Sequence, residues 1–408
     1  KKNLSLFRLN INKFLYLPKN KLNMKNYTTL YNYLFILIIS LFTISCTSDD
    51  DDIAKEIIIP SNYEFLRDGV STVSFSGQTT RLKQVDEIYS ALNANTYTEA
   101  QLDEMFTDGA GFTDATLNGT GKNVRGKTSA GCAAGSSATQ AQFDEQIADF
   151  ANNVVPAWSN DASAGVAGKL TDATRSIHVN AKGHEIDQTF VKGLIGGMGV
   201  DQIVNNYLQP CQLDSGSRTD DNTNGVLSGD KNYTDMEHKW DEAFGYLYGQ
   251  EEDAKRADLG SSPTGNGTTL NKYFKKINDS NQPGIAEIVY DAFKKGRAAI
   301  VAGDYTVRDA QANIIKINLS KVVGYKAVDY LNGYMDKMGA GNTADAFHAL
   351  SEGYGFVMSL QFTNDGNESP YFSKSEVDAM LAKMDDFWTV QDSDLTSMVS
   401  DIKSKFGI

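Results

Sequence analysis

The sequence predicts an all-α protein: internally duplicated helical bundles joined by long Gly-rich loops, with little or no sheet. Three observations carry that expectation. Apolar residues recur at three- and four-residue intervals, as in Phe143, Ile147, Phe150 and Val154. Thirty-five glycines against seven prolines suit helices linked by open loops. Alternating apolar patterns are scarce, the one strand candidate being "GVSTVSFSG" from Gly69.

The helices follow in order. One starts near Gln78 in "QTTRLKQVDEIYSALN", and a short one lies in "TEAQLDEMF". A Gly/Thr/Ser-rich loop spans 108–137 before the helix of "ATQAQFDEQIADFANNVVPAW". "GHEIDQTFVKGLIGG" and "GVDQIVNNYL" are next, closed by Pro210, which cannot continue a helix. A polar loop covers 212–231. Thr234 with Glu237 three residues on makes a capping box for "YTDMEHKWDEAFGYLYG". A Gly/Thr loop at 259–269 precedes the helix of "GIAEIVYDAFKKGRAAIVAGD", and a long helical stretch covers "LSKVVGYKAVDYLNGYMDKM". "NTADAFHALSEGYGFVMSLQF" begins at an Asn342 or Thr343 cap, and two helices close the chain. The helical region is 61–408, divisible into bundles at about 61–215 and 232–408.

The N-terminal stretch has a different character. From Met24 the chain reads "MKNYTTLYNYLFILIISLFTISCTSDDDD": a basic start, an apolar run from about Leu34 to Ile44, then Ser45 and Cys46. This is the layout of a secretory signal peptide, 24–45, with an uncleaved membrane anchor as the alternative. It resembles a bacterial lipoprotein signal, although Thr43 stands where Leu is usual. That resemblance implies lipidation of Cys46 and attachment to membrane lipid. Residues 1–23 read as upstream sequence that is not translated. "SDDDD" from Ser48 opens an acidic tether over 46–60, and it resembles a tag for export to the outer face of the outer membrane.

Charge excludes some partners. The chain carries −14, and residues 1–45 hold seven basic residues and no acid, so the remainder has 31 basic against 52 acidic residues, a balance of −21. Nucleic acid and anionic lipid surfaces are therefore not expected partners. Cys132 and Cys211 both stand in loop contexts, and their spacing leaves open whether they pair.

The chemistry centres on histidine. "HKWDEAFGYLYG" from His238 and "HALSEGYGFVMSL" from His348 share one frame: His, Glu four residues on, Gly seven on. At about 100° per residue these three fall on one helical stripe. Trp240/Leu350, Phe244/Tyr354 and Leu247/Val357 form a separate apolar stripe for the core. Gly inside a helix costs about 1 kcal/mol against Ala, so its recurrence on the stripe implies close approach of a backbone or ligand. "HEIDQTF" is a partial third copy, with His184 and Gln188 in the same relation, whereas His178 precedes a helix without such a setting.

These three stretches resemble an uncharacterised family of surface lipoproteins and, more remotely, imelysin. Imelysin is a duplicated helical-bundle lipoprotein with a histidine–glutamate motif, linked to iron uptake. The resemblance implies a helical, metal-related surface protein and not a known activity. The leading expectation is a lipid-anchored protein that binds a metal or metal-bearing ligand and passes it to an uptake system, with an outer-membrane transporter as the candidate partner. Its motif has His and Glu three apart; here the spacing is four, or Gln replaces Glu.

If the two helices face one another, His238, Glu242, His348 and Glu352, with His184 nearby, make a set suited to Fe or Zn. Interhelical hydrogen bonds that fix the bundle register are the plainer reading. A surface metal-dependent hydrolase or peptidase is a second functional class, and a structural or adhesion lipoprotein is a third. A zinc-peptidase helix needs a second His where Gln188 stands, and no Gly-x-Ser-x-Gly elbow is present. Asp220, Asn222 and Asn224 match the first half of a calcium loop, but Lys231 replaces the closing Glu, so calcium is not expected and an Asn/Asp-rich turn is the better account.

Overall fold

Helices dominate because the apolar spacing is helical and capping residues stand where the helices begin. The computed structural model describes residues 56–132 and 135–408, and thirteen α-helices with two short hairpins occur among them. The protein is all-α. The signal segment, Cys46 and most of the acidic tether lie outside the described residues. Among those described, no helix is long and apolar enough to cross a membrane.

The strand expected near residue 70 reduces to a hairpin of β1 (Leu66–Arg67) and β2 (Val70–Ser71). Helix α1 (Ser76–Ala91) follows, then α2 (Glu99–Asp103), whose capping box joins Thr98 and Gln101. Helix α3 (Ser137–Asp149) starts at a Ser136 cap and buries Phe143 and Ile147. A second hairpin, β3 (Gly168–Thr171) with β4 (Ser176–Val179), pairs Lys169 with His178. Helix α4 (Ile186–Leu194) runs on in wider π-helical turns to Val200, and α5 (Pro210–Leu213) and α6 (Arg218–Thr223) are short.

Helix α7 (Asp235–Tyr248) carries the Thr234–Glu237 capping box expected of it. Then come α8 (Leu270–Asp279), α9 (Ile285–Ala302), the 35-residue α10 (Tyr305–Gly339), α11 (Thr343–Ser359), α12 (Lys374–Lys383) and α13 (Asp392–Phe406). The described residues from 56 on form one unit in which α11 lies between α10 and α4, while α7 packs on α1, α6 and α9. Trp240, Phe244, Tyr248 and Phe293 form an aromatic centre, with Phe244 and Phe293 meeting edge-on at 5.4 Å.

One charged network crosses this core. Arg297 is fully buried on α9; it donates to Glu237 and Asp241, both at 3.1 Å, and to the Thr72 hydroxyl at 3.0 Å. The Tyr63 hydroxyl donates to Asp241 at 2.8 Å, and Arg67 reaches Glu237 from the outer side at 3.1 Å. The network ties β1, β2 and the N-terminal segment onto α7 and α9.

Cys132 and Cys211 are joined in a disulfide across 79 residues of chain. Replacing both with Ser is expected to cost about 2–5 kcal/mol, read as a shift in the urea midpoint that reducing agent reproduces in the native chain. Equal midpoints would mean that the bridge adds nothing to the fold.

Candidate functional site: the histidine–glutamate stripes and a cationic cleft

Both stripes form on helices, and the apolar stripe beside each is in the core except for Tyr354, which is only partly buried: Trp240, Phe244, Leu247, Leu350 and Val357 are all fully buried. The two glycines have the role their positions implied. A Cβ on Gly245 would lie 2.4 Å from the Phe75 Cβ at the start of α1. On Gly355 it would lie 2.5 Å from the Lys192 Cβ and 2.8 Å from the Gly193 backbone nitrogen on α4. What approaches each stripe is another stretch of chain.

That packing keeps the two His–Glu pairs apart. His238 stacks on Tyr233 with ring centres 4.7 Å apart, and Glu242 takes hydrogen bonds from Lys239 at 2.6 Å and Gln78 at 3.0 Å. His348 places Nδ1 2.6 Å from Glu185 and Nε2 3.6 Å from Glu352. The expected convergence of His238, Glu242, His348 and Glu352 is not made, because α1 covers one stripe and α4 the other. No contact partner named for one pair serves the other. Among the described residues no three His, Cys, Asp or Glu side chains are grouped to hold a metal ion. The pairs do not fit direct Fe or Zn ligation: His348 is flanked by carboxylates on both nitrogens, and Glu352 already faces Lys192 at 3.6 Å.

His184 is also elsewhere, packed on Phe387 and Tyr354 at 4.3 and 5.0 Å between ring centres. Gln188 of the same stretch does reach the His348 region, accepting from Lys192 Nζ at 2.7 Å. His178 lies on β4, stacked on Trp158 at 3.6 Å. The half-matched calcium loop is a helix, α6, so Asp220, Asn222 and Asn224 diverge at about 200° steps instead of circling one point. Asn222 bonds Ile300, Tyr305 and Thr234, and the Asn224 amide donates to the Asp220 carbonyl, so these side chains serve the fold.

Around His348 and Glu352 a cleft of about 460 Å³ opens. Helix α4 supplies Lys192, α8 supplies Lys272, Tyr273 and Lys276, and α10 supplies Tyr330 and Lys337; Arg175 and Tyr89 complete its rim. Five cations and one glutamate thus line one opening in a chain of net charge −14. Lys192 is nearly buried and lies over the Tyr89 and Tyr273 rings at 5.3 and 5.6 Å. Arg175 and Lys337 share Asp345, at 2.8 and 3.2 Å. Lys272 and Lys276 form no ion pair among the described residues.

Electrostatics reflect the crowding. Burial pushes the Lys276 amine down, Glu352 opposes, and Lys326, Lys272 and Lys192 lower it further. For Glu352 burial acts upward, but Lys192 and His348 outweigh it and hold the carboxyl below its usual value. Glu242 follows the same logic, with Lys239 overcoming burial. The surroundings of Glu242 are of the same kind, with Lys127 and Lys239 over the Tyr207 ring at 5.2 and 5.5 Å.

Sequence reasoning missed Lys192, Glu185 and the α8 lysines. "NKYFKK" at Asn271 does alternate cations with aromatics, and that was the available signal.

The sequence model of one family, described as domain of unknown function DUF4856, matches residues 60–408. The chain belongs to that family. Neither a curated protein nor a solved structure matches it. The family's match spans α1 to α13, and therefore both stripes and the whole cleft.

Proposed function

We propose that this protein is a non-enzymatic binding protein, held to the outer membrane through lipid on Cys46 and facing the exterior, which takes an anionic metal-bearing ligand in the cationic cleft. One observation carries the reading: Lys272 and Lys276 stand without ion pairs at an opening where cations outnumber carboxylates five to one. Direct chelation by the His–Glu pairs does not suit their contacts, so the metal arrives inside its ligand, wrapped by carboxylate or similar anionic groups. The lysines supply charge, and the Tyr89, Tyr273 and Tyr330 rings supply flat surfaces for the carbon framework. The disulfide suits an oxidising compartment, in keeping with export. Iron as the metal, and an outer-membrane transporter as the recipient, rest on the imelysin resemblance of three stretches.

Titration calorimetry with citrate, ferric citrate and ferric ion alone tests this. Ferric citrate is expected to bind more tightly than citrate, with affinity falling as salt rises. The Lys272→Ala/Lys276→Ala double variant is expected to lose about a hundredfold or more, since hydrogen bonds to charged groups contribute about 1.5–3 kcal/mol each. Equal affinity for citrate with and without iron removes the metal from the reading, and no binding of either anion removes the reading altogether.

A further inference from the structure

A second, larger cleft of about 710 Å³ opens between α3, the turn after β4 and the end of α12. It shares no lining residue with the cationic cleft, and it uses different faces of α4 and α11: Ile186 and Thr189 against Gln188 and Lys192, Tyr354 and Met358 against His348 and Glu352. Its volume falls within the range of about 300–1,000 Å³ usual for small-molecule sites.

Two of its buried acceptors lack donors. His184 lines the cleft at 8% exposure, and its Nε2 has no hydrogen-bond partner. The ring is bonded to the Met384 backbone, and burial pulls its pKa to about 4, so the imidazole is neutral at pH 7 and Nε2 is an acceptor. Gln142 Oε1 in the same cleft is likewise buried and unpartnered. An unpaired buried acceptor costs about 1–3 kcal/mol, and two at one cleft point to a ligand that brings donors.

The remaining acids narrow the class. Asp149 accepts from Asn180 at 2.7 Å and from Asn153 at 2.8 Å, while Asp385 is paired with Lys182 at 2.7 Å. Glu145 alone makes no hydrogen bond or ion pair among the described residues. The cleft is therefore rich in acceptors without being an open anionic hole, which disfavours a polyamine. Tyr354, Met358 and Ile186 add apolar surface beside those acceptors. A ring with hydroxyl edges and C–H faces matches both features.

We infer that this cleft is a carbohydrate-binding site, taking a neutral oligosaccharide whose hydroxyls donate to His184, Gln142 and Glu145 and whose ring face lies on Tyr354. It is independent of the cationic cleft and of any metal. The test is an array of neutral oligosaccharides probed with the purified protein, followed by calorimetry on the retained glycan. Binding is expected, weakened tenfold or more by Gln142→Ala and by Glu145→Ala, lost in His184→Phe, and unchanged in Lys272→Ala/Lys276→Ala. The two surface-side variants keep the test meaningful if His184→Phe fails to fold. Retention of no neutral glycan, undiminished binding in the Gln142 and Glu145 variants, or displacement of the glycan by spermine at equal concentration would each overturn the inference.

Discussion

Arg297→Met lowers folding stability by about 3–5 kcal/mol, because it strands two buried carboxylates without their cation. Arg297 and Asp241 are fully buried and Glu237 nearly so. Burial already raises Asp241 to about 6 with Arg297 opposing it. Burial also acts upward on Glu237, but Arg297, the Thr234 backbone and Arg67 together hold that carboxyl below its usual value. Removing the guanidinium lets both rise. A carboxyl whose folded pKa is raised stabilises most when protonated and loses that contribution as pH climbs through the folded value. The deficit of the variant therefore widens from pH 5 to pH 8 in urea titrations. Arg67→Ala is the contrast: its side chain is 32% exposed, and about 0–1 kcal/mol is expected. If both variants melt alike, the buried network does not hold β1 and β2 to α7.

Gly355→Ala is the second large effect, and its sign is the informative part. In an open helix position Ala stabilises by about 1 kcal/mol over Gly. Here the added Cβ would meet the Gly193 backbone nitrogen at 2.8 Å, and backbone cannot swing aside. Overpacking of this kind costs about 1–3 kcal/mol and pushes α4 off α11. Lys192 rides on α4, so ferric citrate affinity should fall as well. Gly353→Ala, two residues earlier on the same helix, meets Tyr330 only at an ordinary 3.4 Å and should be neutral or stabilising. A Gly355→Ala protein as stable as the native chain would show that the two helices have room to spare.

The helices were legible where apolar spacing and caps agreed: Thr234 with Glu237 began α7 as expected, and α11 starts right after Asn342, although the Asn342 side chain makes no capping hydrogen bond. Helix α8 went unread although Leu270, Tyr273, Phe274 and Ile277 stand at the spacing of one apolar face, because that pattern covers only eight residues directly after a Gly-rich loop. The β3–β4 hairpin was missed for a similar reason, four residues giving only two alternations. Of the site, sequence gave the stripes and the crowding at Gly245 and Gly355. It could not say what crowds them, since spacing along one helix carries no information about which other helix lies across it. That is why His238 and His348 were expected to meet, and why Lys192 and Glu185, which do meet His348 and Glu352, were overlooked.

The like charges gathered at the cationic cleft come from separate stretches of chain, α4, α8, α10 and the turn before β4. Their mutual repulsion is a standing push apart among α4, α8 and α10. An anion entering there would quiet it, so the loaded protein should be the stiffer of the two and slower to exchange its amide protons along those helices.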